Sequence, residues 1–133
     1  MSGGFLKKLF FNEDEQVKIK KPGGKQRSKA VPTIELDIKS NHSEYRVEVR
    51  TFPCVIGRNK QAHVFLEDVS VSRPHASIDL IDGAFIIIDH NSENGVIVSG
   101  AAVPSGHSRR IYEGDTIKMG RSELFINKII IPN

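Results

Sequence analysis

From position 33 onward, apolar and polar residues alternate, and turn-forming residues break the alternation at short intervals. The segment 34–38 places Ile, Leu and Ile at every second position, and the segment 45–49 repeats the pattern with Tyr, Val and Val. Because successive side chains of a strand point to opposite faces, this period of two predicts half-buried strands. No window after Thr33 has the 3.6-residue period of a long helix. The sequence therefore predicts an all-β fold, a β-sandwich of about ten or eleven short strands.

Turn residues predict where these strands begin and end. Residues 41–43 (Asn-His-Ser) separate the first two strands, and Asp82-Gly83 lies between two apolar segments, which is a strong signal for a hairpin. Glu113-Gly114 separates two further strands near the end of the chain. The run 85–88 is apolar on both faces, which predicts a central strand that is covered on both sides.

The first 32 residues differ in composition from the rest. The whole chain of 133 residues has a formal net charge of +3, with 19 Lys and Arg against 16 Asp and Glu. Residues 1–32 hold eight of those cations and three of the acids, whereas residues 33–133 hold eleven and thirteen. We therefore expect a flexible basic tail or linker at 1–32 and a single domain at 33–133. By its charge, the domain is not a nucleic-acid binder.

Export and membrane insertion are not expected. No apolar run approaches the ~20 residues of a membrane span, and the amino end lacks the apolar region of a secretory signal. Cys54 is the only cysteine and lies in an apolar run, so a buried packing role in a reducing, cytoplasmic location is expected. The apolar-basic segment 5–11 leaves open a weak contact with a membrane surface or a partner.

Three polar clusters interrupt the predicted strands. Polar clusters at strand ends are how a β scaffold presents a binding surface from its loops. Two of the side chains are permanent cations with planar donor forks, one is a hydroxyl, and one is an amide that both donates and accepts. Together they suit an oxyanion attached to a peptide. The clusters are Gly57-Arg58, Ser72-Arg73-Pro74-His75 and Asn94-Gly95.

In this order and spacing, the three clusters resemble those of the forkhead-associated (FHA) domain, a phosphothreonine-peptide-binding module. The similarity extends from about Thr33 to Ile131 and includes the Gly114-Asp115 turn and the Met119-Gly120 strand end. The resemblance implies the same β-sandwich. It also implies a phosphopeptide-binding adaptor whose partners are phosphothreonine-containing proteins in Ser/Thr-kinase signalling.

The resemblance assigns roles to individual residues. Arg58 and Ser72 match positions that contact phosphate or the adjacent peptide backbone. Arg73 matches a position that contacts peptide backbone or phosphate, and Asn94 one that hydrogen-bonds the peptide main chain beside the phosphoresidue. Three matched positions are structural: Gly57, His75 and Gly95.

Residues at the margin of the site are less regular. Asn59 and Lys60, with the two residues after them, are expected to contact the peptide beyond the phosphothreonine. Glu93 is a further candidate for peripheral contact with the peptide. It stands where the family often has Ser, Thr or a basic residue, and its carboxylate would repel a phosphate unless it points away or pairs with Arg73. Arg121 lies in the final predicted hairpin, far in sequence from the Ser72 loop, and is expected to be a turn cation.

Other functions remain as alternatives. The spacing of Ser72, His75 and Asp79 does not bring them together as a catalytic triad, and no nucleophile elbow or phosphate-binding Gly-Lys loop is present. No enzyme activity, cofactor or metal site is therefore expected. An FHA-like fold used for phosphate-independent assembly, with Glu93 as its marker, is one alternative. Nucleic-acid or membrane-surface binding by the tail is the other.

The phosphorylated partner is expected to be a separate protein. The tail contains Ser2 and Ser28 but no threonine before Thr33, so it offers no internal phosphothreonine. A Ser/Thr kinase or one of its substrates is the expected partner.

Overall fold

The computed structural model describes residues 31–132, which form eleven strands in two sheets and contain no helix. The prediction of an all-β sandwich with ten or eleven short strands is confirmed. No helix in this range could cross a membrane. The predicted flexible tail lies outside the described residues except for its last two positions. The strands are β1 Thr33–Ser40, β2 Ser43–Val49, β3 Cys54–Gly57, β4 Val64–Phe65, β5 Ala76–Ile81, β6 Ala84–Asp89, β7 Val96–Val98, β8 Ala101–Val103, β9 Ser108–Arg110, β10 Thr116–Met119 and β11 Ser122–Ile130.

The two sheets have the orders β2-β1-β11-β10-β7-β8 and β4-β3-β5-β6-β9. The predicted hairpins form between β1 and β2 and between β5 and β6. The two central residues of each turn, Asn41-His42 and Asp82-Gly83, all have positive φ. Paired left-handed residues twist in the sense that two hairpin strands require.

The strands on either side of Glu113-Gly114 belong to different sheets. β9 pairs with β6, whereas β10 pairs with β7 and β11. The chain crosses between the sheets after Ile111, which is buried and donates its backbone N–H to the Phe85 carbonyl at 2.9 Å. Burial of this side chain fixes the crossing point.

The core lies between the sheets and consists mainly of Ile, Val and Leu. Ile34, Leu36 and Ile38 of β1 are at most 1% exposed, and full burial of each such side chain contributes roughly 1.5–3 kcal/mol. The prediction for β6 is only partly right. Its inner residues are buried, but Ile86 and Ile88 on the outer face are only half-buried.

The strand register brings several loops to one end of the sandwich. Ile56 at the end of β3 pairs with Ala76 at the start of β5, which in turn pairs with Asp89 at the end of β6. In the other sheet, Met119 at the end of β10 pairs with Ser122 at the start of β11. The loops that leave these strand ends therefore meet, and they include all three polar clusters.

Candidate functional site

Direct hydrogen bonds join the three polar clusters. The backbone N–H of Arg58 donates to the Ser72 carbonyl at 3.0 Å. The side-chain amide of Asn94 donates to the Ser70 carbonyl at 2.8 Å. The Arg58 backbone and the Ser72 loop thus lie side by side, and the Asn94 loop packs against the same segment.

Gly57 permits the close approach of two of these loops. A Cβ atom at this position would lie 2.8 Å from the Ser72 carbonyl oxygen and 3.0 Å from the His75 backbone nitrogen. Real Cβ atoms do not approach backbone atoms so closely, so any side chain here would push the Ser72 loop away from Arg58.

His75 is fully buried and links the Ser72 loop to the Asn94 loop. Its Nδ1 accepts a hydrogen bond from the Ser72 backbone N–H at 2.9 Å. The ring therefore donates through Nε2, which lies 2.7 Å from the Gly95 carbonyl. This arrangement occupies the Ser72 N–H, so the Ser72 hydroxyl is the group of that residue that remains available to a ligand.

The Ser72 hydroxyl is positioned to donate. Its oxygen accepts a hydrogen bond from the Glu93 backbone N–H at 3.0 Å. The hydroxyl hydrogen forms no bond to any atom in residues 31–132, so it is available to the acceptor of a ligand.

Arg58 is fixed at one nitrogen and free at the others. Its Nε donates to the Val71 carbonyl at 3.0 Å, and the side chain is half-buried. The ion pairs in the described range involve other cations, so neither Arg58 nor the exposed Arg73 has a carboxylate partner there. The Nη groups of Arg58 are therefore available for a forked contact with an oxyanion.

Arg58 and Arg73 border an open groove of about 1010 Å³. Arg58, Asn59, Lys60 and Arg73 line it. Ser72 and Asn94 are not among the lining residues, and hydrogen bonds join them to Arg58 and to the Ser70 carbonyl. Its lining includes four cations and two carboxylates. The lining residues are Asn41, His42, Arg58, Asn59, Lys60, Phe65, Glu67, Asp68, Val69, Arg73 and Arg121.

Glu93 lies outside the groove. The residue is exposed, and its carboxylate forms no ion pair with Arg73. Its contribution to the site is its backbone N–H, which supports the Ser72 hydroxyl.

Asp68 is a buried residue of the site that the sequence analysis missed. Its carboxylate accepts hydrogen bonds from the Ser70 N–H and hydroxyl, the Ser122 hydroxyl and the Arg121 N–H. Burial raises the pKa of Asp68, but these hydrogen bonds outweigh it and hold the pKa below the usual value. The Asp-x-Ser spacing, which favours a turn closed by the aspartate side chain, was the signal for it.

Arg121 lies in the turn between β10 and β11, as predicted, and it is also one of the residues that line the groove. The turn between β10 and β11 packs against the 68–71 loop, where the Arg121 N–H donates to the Ser70 hydroxyl at 2.9 Å. A Cβ atom on Gly120 would lie 2.4 Å from that hydroxyl oxygen. This approach depends on the packing of two distant segments, which spacing along the chain does not reveal.

The Asn94 loop has its own internal support. Asp89, which is buried, accepts hydrogen bonds from the Ser92 hydroxyl and from the Gly106 N–H at 3.2 Å. The Ser92 hydroxyl in turn accepts the Gly95 N–H at 3.0 Å. Asn94 therefore projects from a loop that is fixed on both sides.

Ser72, His75 and Asp79 do not form a catalytic triad. Both ring nitrogens of His75 bond to backbone groups, and the Asp79 carboxylate accepts the Leu80 N–H. Within residues 31–132, no three His, Cys, Asp or Glu side chains are grouped as metal ligands.

The two sheets and their joined loops define a β-sandwich binding module. The FHA domain family model matches residues 54–120, half of the chain, and the chain belongs to this family. The predicted family is thus confirmed.

Among the relatives that this chain matches over 68 residues are an inhibitor and a regulator. The oxoglutarate dehydrogenase inhibitor of Corynebacterium efficiens is 35% identical, and the match covers 51% of this chain and 46% of that protein. The glycogen accumulation regulator GarA of Mycolicibacterium smegmatis is 37% identical, with 51% and 41% covered. The chain thus matches less than half the length of these relatives.

Solved structures share the fold. The FhaA FHA domain, in complex with an intracellular domain of another protein, is 30% identical with a TM-score of 0.63, and the match covers 71% of this chain and 99% of that one. A domain studied for phosphothreonine-dependent FHA interactions is 28% identical with a TM-score of 0.65, covering 74% and 99%. An Arabidopsis thaliana FHA domain matches at 22% identity, which shows the fold alone.

Proposed function

We propose that this chain binds peptides that contain phosphothreonine. A phosphothreonine carries close to two negative charges and three strong acceptor oxygens near pH 7. The observation that carries the proposal is the pairing of Arg58 with Ser72. The two residues are joined by a 3.0 Å backbone bond, and each keeps side-chain donors that are free of other described residues.

Arg58 and Ser72 bind the phosphate in this proposal. The Nη groups of Arg58 contact one or two oxygens, and the Ser72 hydroxyl donates to another. Charge-assisted hydrogen bonds contribute roughly 1.5–3 kcal/mol each. Because Val71 and Glu93 already orient these donors, little conformational entropy is lost when a ligand arrives.

Arg73 and Asn94 hold the peptide on either side of the phosphate. Arg73 is exposed at the groove and adds a second cation. Asn94 uses one N–H to bond the Ser70 carbonyl. Its second N–H and its carbonyl oxygen remain for the peptide main chain, which offers both a donor and an acceptor at each residue.

The biological role follows from the family. A solved relative that covers the same fold takes part in phosphothreonine-dependent interactions, and two relatives are named as a regulator and an inhibitor. We infer that this protein is likewise a non-catalytic adaptor in Ser/Thr-kinase signalling, with a kinase or a kinase substrate as its partner. The proposal includes a cytoplasmic location, where the lone Cys54 thiol stays reduced.

A titration of phosphothreonine peptides against the full chain tests this function. The affinities of a degenerate phosphopeptide library and of the same library without the phosphate are measured by fluorescence anisotropy. The proteins are the wild type, Arg58→Ala, Ser72→Ala and Arg109→Ala. Arg109 is an exposed cation of β9 outside the groove and controls for net charge. We expect phosphate-dependent binding that falls at least about tenfold in the first two variants and is unchanged in the third.

Two other results would select an alternative. Equal binding of both libraries would mean phosphate-independent assembly. Loss of all binding on deletion of residues 1–32, with no effect of Arg58→Ala, would mean that the tail binds the partner. In our proposal those residues are a tail, and their deletion leaves peptide binding unchanged.

A further inference from the structure

The groove contains more cations than the phosphate site uses. Arg58 binds the phosphate and Arg73 the adjacent peptide in the proposal above, whereas Arg121 lines the groove from the β10–β11 turn. Within residues 31–132, Arg121 forms no ion pair. The nearby carboxylate of Asp68 is already bonded to hydroxyl and N–H donors, among them the backbone of Arg121 itself.

The backbone of Arg121 is held in place independently of its side chain. Its N–H donates to Ser70 at 2.9 Å and to Asp68 at 3.2 Å. Gly120 packs directly against Ser70, with no space for a side chain. The side chain of Arg121 therefore starts from a fixed position, and the residue is exposed and lines the groove.

Arg121 and Arg58 are attached to successive parts of one loop. Arg121 bonds to residues 68 and 70, and the Arg58 side chain bonds to the carbonyl of residue 71. An extended peptide advances about 3.3–3.6 Å per residue. A peptide with its phosphate at Arg58 thus brings a neighbouring side chain within reach of Arg121.

We propose that Arg121 is a specificity-determining residue of this groove, which selects phosphothreonine peptides that carry a second anionic group near the phosphothreonine. The inference rests on the proposed function and extends it. The second group is either a carboxylate or a second phosphate, since a guanidinium fork matches both.

Peptides with one defined second anion test this subsite. Each has phosphothreonine at the centre of a neutral background, with Asp, Asn or phosphoserine at one of about four positions on either side, a span set by the reach of an extended chain. Asn is the neutral isostere of Asp. Phosphoserine separates a preference for phosphate from a preference for a carboxylate. Affinities are measured with the 133-residue wild type, Arg58→Ala, Arg121→Ala, Arg121→Lys and Arg109→Ala.

We expect at least one position where the Asp peptide binds about two- to fivefold more tightly than the Asn peptide, the range typical of an exposed ion pair. A larger gain with phosphoserine at that position would identify a second phosphate as the preferred group. Arg121→Ala removes these gains and leaves the Asn peptide unaffected, because the backbone bonds to Ser70 and Asp68 remain. Arg121→Lys keeps part of the gain, and Arg109→Ala keeps all of it.

Three results would overturn the subsite while leaving the proposed function intact. They are the absence of any position that favours an anion, a gain that survives in Arg121→Ala, and an equal loss in Arg109→Ala, which would indicate only a general effect of net charge. Failure of the proposed function is recognised separately. In that case the wild type binds none of the phosphothreonine peptides, or Arg58→Ala binds the Asn peptides as well as the wild type does.

Discussion

The Ser122 hydroxyl donates to the Asp68 carboxylate at 2.6 Å, although the two residues are 54 positions apart. Because the Ser122 hydrogen is used in this bond, the contact of 2.7 Å between Ser40 and Ser122 must have Ser40 as its donor. A buried chain of three side chains thus runs from β1 through β11 to the 68–71 loop. It anchors the wall of the groove to the six-stranded sheet.

Asp68→Asn should destabilise the protein by about 1–3 kcal/mol at pH 7, because an amide NH₂ would replace an oxygen that accepts buried donors. The pKa of Asp68 is lowered in the folded state. Its stabilising contribution is therefore complete above the unfolded pKa of about 3.9 and is lost as the pH falls through the lower folded value. Urea unfolding of both proteins at several pH values measures the difference.

The pH series also contains its own control. The gap between wild type and Asp68→Asn should stay constant from about pH 7 to pH 5 and shrink below about pH 4. A gap that persists undiminished at lower pH would mean that the carboxylate charge is not the source of the stabilisation.

His75→Ala should reduce both stability and binding. It removes the acceptor of the Ser72 N–H and the donor to Gly95, and it leaves a cavity in the fully buried site. The expected cost is about 2–4 kcal/mol in the free energy of unfolding. Ser72→Ala, in contrast, should cost under about 1 kcal/mol while it weakens phosphopeptide binding, since its hydroxyl accepts from an exposed loop. Denaturation and binding curves are measured for both variants. A Ser72→Ala protein that lost stability to the same extent as His75→Ala would contradict this prediction.

The Cys54 thiol should be inert in the folded protein. It is fully buried, and burial raises its pKa to about 12, so almost no thiolate exists at neutral pH. A thiol-reactive dye should therefore label it far more slowly in the folded protein than in urea, at pH 7 and at pH 9. Labelling of the folded protein at pH 9 as fast as labelling in urea would contradict the prediction, because it is the response of an accessible thiol with an ordinary pKa of about 8.5.

Local patterns predicted the parts of this fold that depend on local physics. The alternation of apolar and polar residues at 34–38 indicates a strand with one buried face, and it correctly predicted β1. Asp82-Gly83 favours left-handed backbone, and it gave the β5–β6 hairpin. Glu113-Gly114 also marks a turn, but which sheet each neighbouring strand joins depends on where Ile111 is buried.

The candidate site also contains residues whose position the sequence predicts and residues whose position depends on the packing of distant segments. Gly57-Arg58 lies at a strand end that the sequence shows, so its place at a loop edge was predictable. Arg121 reaches the groove only because β10 and β11 end beside the 68–71 loop. The role of Glu93 could not be predicted either. Its backbone N–H supports the Ser72 hydroxyl, whereas the residue does not line the groove. The sequence does not reveal the direction of an exposed side chain.

Gly57→Ala should separate the two halves of the phosphate site. The added Cβ would lie 2.8 Å from the Ser72 carbonyl oxygen, a backbone atom that yields only if the loop moves. We expect a loss of about 1–3 kcal/mol in stability, typical of overpacking, and weaker phosphopeptide binding because Arg58 and Ser72 move apart.

Gly83→Ala is the matched control. It strains a left-handed turn with φ of +78°, has no atom within 4 Å of the new Cβ, and lies at the β5–β6 hairpin turn. It should lower stability by about 1 kcal/mol and leave binding unchanged. If both glycine variants bound the phosphopeptide as the wild type does, close contact between the Arg58 and Ser72 loops would not be needed for binding.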